Sequence, residues 1–333
     1  MKRSFIYMGA LALGVLAGIT GIGCKKKTTD AIAVIPKGTT HEYWKSVHAG
    51  AEKAAQELGV NVIWKGPLRE DDREDQIKVV ETFTNMRVKG IVLAPLDDTA
   101  LGPVVTDAVR AGIPVVAMDS SLKSDDLTSF VATDNYKGGR LAGDHLAALV
   151  GGTGKAKVMM LRYAEGSAST AERERGFLDA IAAHKEIEVA SANQYGGVTT
   201  ESAFAASENL LAAHKGPDGG LGVQGIFCPN ESTAFGMLRA LEDGGLAGKV
   251  AFVGFDSSPK MTEAMAKGHM DATVVQDPIK MGYLAVKAMV DHLAGRPVDK
   301  RIDTGATLIT RATMGTPEAQ ALLNPDFKKW LKE

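Results

Sequence analysis

The chain has 333 residues, 45% hydrophobic and 23% charged. That is ample for a large core and more than one domain, and unlike a disordered or fibrous chain. A formal net charge of -2 leaves no surplus of Lys and Arg to neutralise phosphates, which argues against nucleic acid as a partner.

Lys2 and Arg3 precede the apolar run FIYMGALALGVLAGITGIG, which is followed by Cys24 and KKKTTD. A basic region, an apolar region and a small-residue processing site make an export signal. Cys24 after Gly21, Ile22 and Gly23 resembles a bacterial lipobox, although leucine is usual where Gly21 stands. That resemblance implies residues 1–24 as a lipoprotein signal, a diacylated Cys24, and a protein anchored to a membrane in the periplasm or at the cell surface. About 19 apolar residues also suffice for an uncleaved membrane anchor. With Cys24 lipidated, Cys228 is left without a partner, and the exported domain rests on its core rather than on disulfides.

From residue 31, short β-rich runs alternate with amphipathic helical ones. AIAVIP (31–36) precedes a helix over 42–59, where Val47, Ala51, Ala54 and Leu58 recur at helical spacing and Gly59 stops it. Strands are predicted at 61–64, 90–95 and 113–119, separated by helical runs at 73–87 and 100–112. A second series has strands at 155–161, 187–195, 225–230 and 250–256, with helices at 171–184 and 199–214 among them. Strand, helix, strand in this order means a parallel sheet covered on both faces. So many strands exceed one ordinary doubly wound sheet. The expectation is α/β, with two doubly wound parallel-sheet lobes and a boundary in TSFVATDNYKGGRLAGDHLAALVGG (128–152). No floppy linker lies there, which suggests a structured hinge. A long helix (279–295) and a last strand (300–312) return to the first lobe and cross again.

Ligands of open parallel sheets bind beyond the carboxyl ends of the strands. Five apolar runs end there on hydrogen-bonding side chains: Asp119 with Ser120, Arg162, Asn230, Asp256 and Gln276. Asp, Ser and Asn are also good helix N-caps. Recurrence in both series favours one shared polar cleft. PKGTTHEYW (36–44) adds His41, Tyr43 and Trp44, and Phe255 adds a ring from the second series. Aromatic faces beside carboxylates and amides suit a sugar, whose C–H face they cover while polar groups hold its hydroxyls. The lesser alternative is that Tyr43 and Trp44 staple the helix start to the core. No G-x-S-x-G elbow, G-x-x-x-x-G-K-[ST] loop or H-E-x-x-H pair occurs, and the seven histidines are scattered. No enzyme, cofactor or metal site is expected.

GAEKAAQELG (50–59), TDNYKGGRLAGD (133–144), STAERERGF (169–177), FCPNESTAFGMLRAL (227–241), FVGFDSSP (252–259) and ATVVQDP (272–278) together resemble the type I periplasmic sugar-binding proteins, in order and spacing over residues 31–312. The resemblance implies an aromatic sandwich of Tyr43 and Trp44 with Phe255 opposite, and hydroxyl-binding Asp119, Arg173, Asn230, Asp256 and Gln276. AERERG also reads as a solvated helix face, but Arg173 opens a helix after a strand-end loop, which favours a ligand role. Ribose-binding members have an asparagine where His41 stands, an arginine where Ser120 stands, and an aromatic residue near Gly197 or Val198. Lys37 and Arg162 are placed to supply the missing positive charge.

The family fold implies three hinge crossings near Asp134, Asp277 and Asp303. Residues 31–134 with 277–303 would form the N-terminal lobe, and 135–276 with 304–333 the C-terminal lobe. Its extension TPEAQALLNPDFKKWL (316–331) would pack a short helix on the body. The implied role is the monomeric solute-binding component of a sugar ABC importer, which closes on a monosaccharide and presents it to the permease's transmembrane subunits. The competing readings are a sensor input for a chemoreceptor or kinase, and an exported α/β enzyme. A repressor's effector lobe would need a helix-turn-helix where this chain carries an export signal.

Overall fold

The computed structural model describes Met1 and residues 29–331, apart from 153, 217, 218 and 328. Cys24 and, beyond Met1, the segment expected to be an export signal lie outside the described residues. The first series runs β1 (Thr29–Ile35), α1 (Glu42–Leu58), β2 (Val62–Trp64), α2 (Arg73–Met86), β3 (Val88–Leu93), α3 (Gly102–Arg110), β4 (Val115–Met118), β5 (Ser129–Ala132) and α4 (Asn135–Val150). The second runs β6 (Ala156–Arg162), α5 (Ala168–Ile181), β7 (Ile187–Tyr195), α6 (Thr200–Ala213), β8 (Gly225–Phe227), α7 (Glu231–Asp243), β9 (Ala251–Phe255), α8 (Pro259–Lys267) and β10 (Ala272–Gln276). The chain closes with α9 (Pro278–Leu293), β11 (Arg301–Asp303), β12 (Ala306–Thr310) and α10 (Pro317–Leu323).

Two six-stranded sheets result, in the orders β11-β5-β4-β3-β1-β2 and β12-β10-β9-β8-β6-β7. Only the β10–β12 pairing is antiparallel among them. Apart from the edge strands β11 and β12 the two orders are the same, so β4 and β9 occupy equivalent places. Val, Ile, Met and Phe fill the central strands because both faces are covered. α1 and α9 cover one face of the first sheet, and α2 and α3 the other. α4 and α5 cover one face of the second, and α6, α7, α8 and α10 the other.

The chain passes between the sheets three times, after β5, after β10 and between β11 and β12. The last predicted strand is therefore two strands, split at Thr304 and Gly305, where Gly305 takes φ 83°, a left-handed turn open to glycine at no steric cost. Aspartates tie the crossings together. Asp134 and Asp277 cap α4 and α9, and Asp303 accepts the N–H groups of Asp134 and Gly305 at 3.1 and 2.9 Å. These short, capped crossings are a hinge rather than a flexible tether.

Glycines let the helix pair of each lobe touch backbone to backbone. A Cβ on Gly139 of α4 would lie 2.0 Å from the carbonyl oxygen of Arg173 on α5, and one on Gly50 of α1 would lie 2.0 Å from that of Ile279 on α9. Gly139→Ala is expected to lower stability by about 1–3 kcal/mol through overpacking. It would also displace Arg173, so thermal unfolding and ligand affinity should fall together; unchanged unfolding would contradict the contact.

Candidate functional site

The carboxyl ends of both sheets face one another across a narrow cavity, lined by residues of both lobes. At its centre are Asp119, directly after β4, and Asp256, directly after β9. Both have left-handed backbones, φ 63° and 65°, two of the three non-glycine residues with positive φ among those described. Aspartate tolerates this region better than most residues, but each instance still costs about 1 kcal/mol or more, and such strain clusters at functional positions. Neither aspartate caps the helix that follows. Ser258 caps α8 by accepting from Met261 N–H at 3.3 Å, and Asp134 caps α4, the helix that follows Asp119, by accepting from Lys137 N–H at 3.1 Å. Asn230, by contrast, does cap α7, its Oδ1 accepting from Thr233 N–H at 3.3 Å.

Asp119 is held from two sides. Lys37, at the end of β1, places Nζ 2.9 Å from Asp119 Oδ2 with both side chains buried, and the Tyr43 hydroxyl donates to Oδ1 at 2.9 Å. Lys37 also donates across the cleft to Ser169 Oγ at 2.9 Å. Asp256 accepts from Gln276 Nε2 at 2.7 Å and from Glu231 N–H at 3.3 Å, while Arg173 lies 3.7 Å away. Burial pushes the Asp256 carboxyl up, against the pull of Arg173 and Gln276. Arg173 is itself locked: Nε donates to Asn135 at 2.8 Å, Nη1 donates to the Pro229 carbonyl at 3.0 Å, and its guanidinium sits 3.9 Å from the Phe255 ring centre. Gln276 Oε1 is buried with no hydrogen-bond partner among the described residues. A buried amide oxygen left unpaired is costly, so it is an acceptor waiting for a donor.

Not every expected residue reaches the cavity. Lys37, His41, Tyr43, Trp44, Asp119, Arg173, Asn230, Asp256 and Gln276 line it. Phe255 does not: it is fully buried in the second-lobe core and supports Arg173 from below instead of walling the cavity. Side chains alternate along a strand, so the neighbour of an inward Asp256 must point away. Arg162 fails for the same reason. It turns outward to Glu174, 2.7 Å from Nε, and stacks on Tyr195, while its neighbour Tyr163 enters the cavity. Ser120 is buried behind the rim, where its Oγ accepts Ser169 N–H at 3.1 Å and ties the lobes together.

Sequence reasoning missed Glu70, Tyr163, Glu231, Ser169 and Thr170, all of which line the cavity. Tyr163 was signalled by strand alternation. Glu70 sits in the loop before α2, where no strand end marks it. Its carboxylate accepts from Trp44 Nε1 at 2.6 Å and, across the cleft, from the Tyr163 hydroxyl at 2.5 Å, and it lies 2.8 Å from His41 Nδ1. Burial works against both charges, yet each outweighs that cost for the other: His41 is raised to about 9 and Glu70 lowered to about 2. Glu231, on the second lobe, accepts Tyr43 N–H at 3.2 Å, and burial raises its carboxyl to about 7.

The cleft thus carries acids and bases in nearly equal number, each already met by a partner, between rings contributed by Tyr43, Trp44 and Tyr163. Such a set can orient hydroxyl groups from several directions while leaving no large net field for an ion. Among the described residues, no group of three or more His, Cys, Asp or Glu side chains is arranged to hold a metal ion, and no helix is long and apolar enough to cross a membrane.

The periplasmic binding protein domain matches residues 32–297 of the chain. The ribose import binding protein of Salmonella typhimurium is 31% identical over 314 residues, spanning 93% of this chain and 99% of its own length. The D-allose-binding periplasmic protein of Escherichia coli is 30% identical over 310 residues, spanning 90% and 96%. An ABC transporter solute binding protein of Agrobacterium vitis, solved with bound D-fucose, superposes with a TM-score of 0.83 at 35% identity, over 88% of this chain and 99% of that one. With the paired sheets, the three crossings and the cleft between them, these similarities establish that the chain belongs to the periplasmic binding protein family, among its type I sugar-binding proteins.

Proposed function

We propose that the protein binds a monosaccharide between its lobes and delivers it to the membrane permease of an ABC importer, without making or breaking a bond. The observation that carries this reading is the facing pair of left-handed aspartates, one from each lobe, beside the unpaired Gln276 Oε1. Asp119, Asp256, Arg173, Asn230, Gln276 and His41 would hold the hydroxyls, and Tyr43 and Trp44 would cover the ring. Lys37 would act through Asp119, and Phe255 through Arg173. Closure follows from differential binding: each lobe offers half the contacts, so the ligand favours the state in which both meet. Relatives named for ribose and allose binding, and one solved with bound D-fucose, support a neutral sugar. A lipid on Cys24 would hold the protein, as a monomer, at the membrane beside its permease.

A thermal-shift screen of pentoses, hexoses and deoxyhexoses tests the reading. One sugar at a hundred times its Kd should stabilise the fold by about 2.7 kcal/mol. No shift with any sugar or inositol would overturn it.

A further inference from the structure

The C-terminal segment beyond β12 gives the site a second compartment. α10 docks on the second lobe, where Ala319 and Leu323 join its core. The chain then crosses to the first lobe, placing the Trp330 ring 5.6 Å from Lys53 Nζ on α1. Under this crossing lies a cavity of about 220 Å³ whose walls include Val275, Leu322, Leu323, Pro325 and Phe327. It adjoins the polar cavity: Tyr43, Asp256 and Gln276 line both. Gln276, the shared residue with the buried unpaired Oε1, is 2% exposed.

We infer that this apolar annex takes a hydrophobic substituent carried by the sugar, so that the protein's ligand class includes glycosides with an alkyl or aryl group. The inference rests on the sugar-binding reading. Polar groups at the junction would fix the ring, while the annex beyond it is mostly apolar in surface, with Glu42, Ser46, Ser257, Ser258 and Asn324 also on its border. An apolar group that leaves water there gains affinity in proportion to the area buried. The occupant is argued from continuity, because Tyr43, Asp256 and Gln276 border both the place of the ring and the annex.

Isothermal calorimetry on the full exported chain distinguishes this proposal from the reading beneath it. The probes are the free sugar that gives the largest thermal shift and its methyl, n-hexyl and phenyl glycosides in both anomeric forms. One anomer of the hexyl or phenyl glycoside should bind about tenfold tighter than the methyl glycoside, as burial of several carbons allows. Phe327→Ala, in the half-buried strap, should erase most of that advantage and leave the free sugar's affinity unchanged. Leu322→Trp, which fills the annex, should do the same. Free-sugar binding with every larger glycoside excluded or no tighter would overturn the annex and leave the sugar site standing. No binding by any probe would overturn both.

Discussion

Asp256→Ala is expected to weaken sugar binding by about a thousandfold, the equivalent of about 4 kcal/mol. The carboxylate organises three groups: Gln276 at 2.7 Å, Glu231 N–H at 3.3 Å and Arg173 at 3.7 Å. Removing one partner of a buried charge pair costs about 3–5 kcal/mol, because the other is left uncompensated. In the open form water can reach Arg173, so the penalty falls mainly on the closed, liganded state. Calorimetry with the best sugar measures the loss. Asp256→Asn serves as the control for folding, keeping the shape and one acceptor. Near-wild-type affinity in the alanine variant would remove Asp256 from the site. Alanine also relieves a side chain at φ 65° only to put a worse one there, since aspartate is the better tolerated in that region.

The second large effect is expected at Glu70. Its carboxylate serves His41, Trp44 and Tyr163 together, and the Tyr163 bond joins residues 93 positions apart across the cleft. Glu70→Gln keeps the volume but replaces one acceptor oxygen with a donor among three donors. A stability loss of about 3 kcal/mol is expected for this largely buried pair, together with weaker ligand binding because closure loses a bridge. The pH profile carries a separate signature. His41 is raised above its ordinary 6.5 to about 9, so its contribution is complete below 6.5 and is lost as pH climbs through 9. Glu70 is lowered from 4.5 to about 2, so its contribution is present above 4.5 and is lost as pH falls towards 2. Glu231 is raised from 4.5 to about 7 and destabilises the fold increasingly across that interval. In the wild type the ion pair is therefore fully effective between about pH 4.5 and 6.5, and its loss continues up to about 9. In Glu70→Gln, His41 loses its strongest raising partner, leaving burial opposed by Glu231 and Asp256, so its titration moves down from about 9. The alkaline decline in melting temperature should then shrink and shift to lower pH, which thermal unfolding from pH 5 to 9 will show; an unchanged profile would contradict the pairing.

Much of this protein is readable before it folds. Alternating β and helical runs specify two α/β lobes, because each run can bury its apolar face only against its neighbours. Asp119, Asn230, Asp256 and Gln276 stand out as polar residues ending apolar strands, where parallel sheets gather their ligands. Strand alternation separates Asp256 from Phe255 and Tyr163 from Arg162, and weighing chemistry ahead of that period is what put Phe255 and Arg162 in the cleft.

Tertiary structure decided the rest. Whether a strand-end aspartate caps a helix depends on backbone torsion, and only the folded chain shows Asp119 and Asp256 turned left-handed while Asn230 caps α7. Glu70 gains its meaning from three donors on two distant segments, one of them in the other lobe. The extension after β12 is a short amphipathic tail in sequence, and its crossing of the seam turns it into the wall of a cavity. Local pattern determines which elements form and which way their side chains face. Contacts between distant segments set charges, bridge the lobes and enclose the site, because those energies exist only once the segments have met.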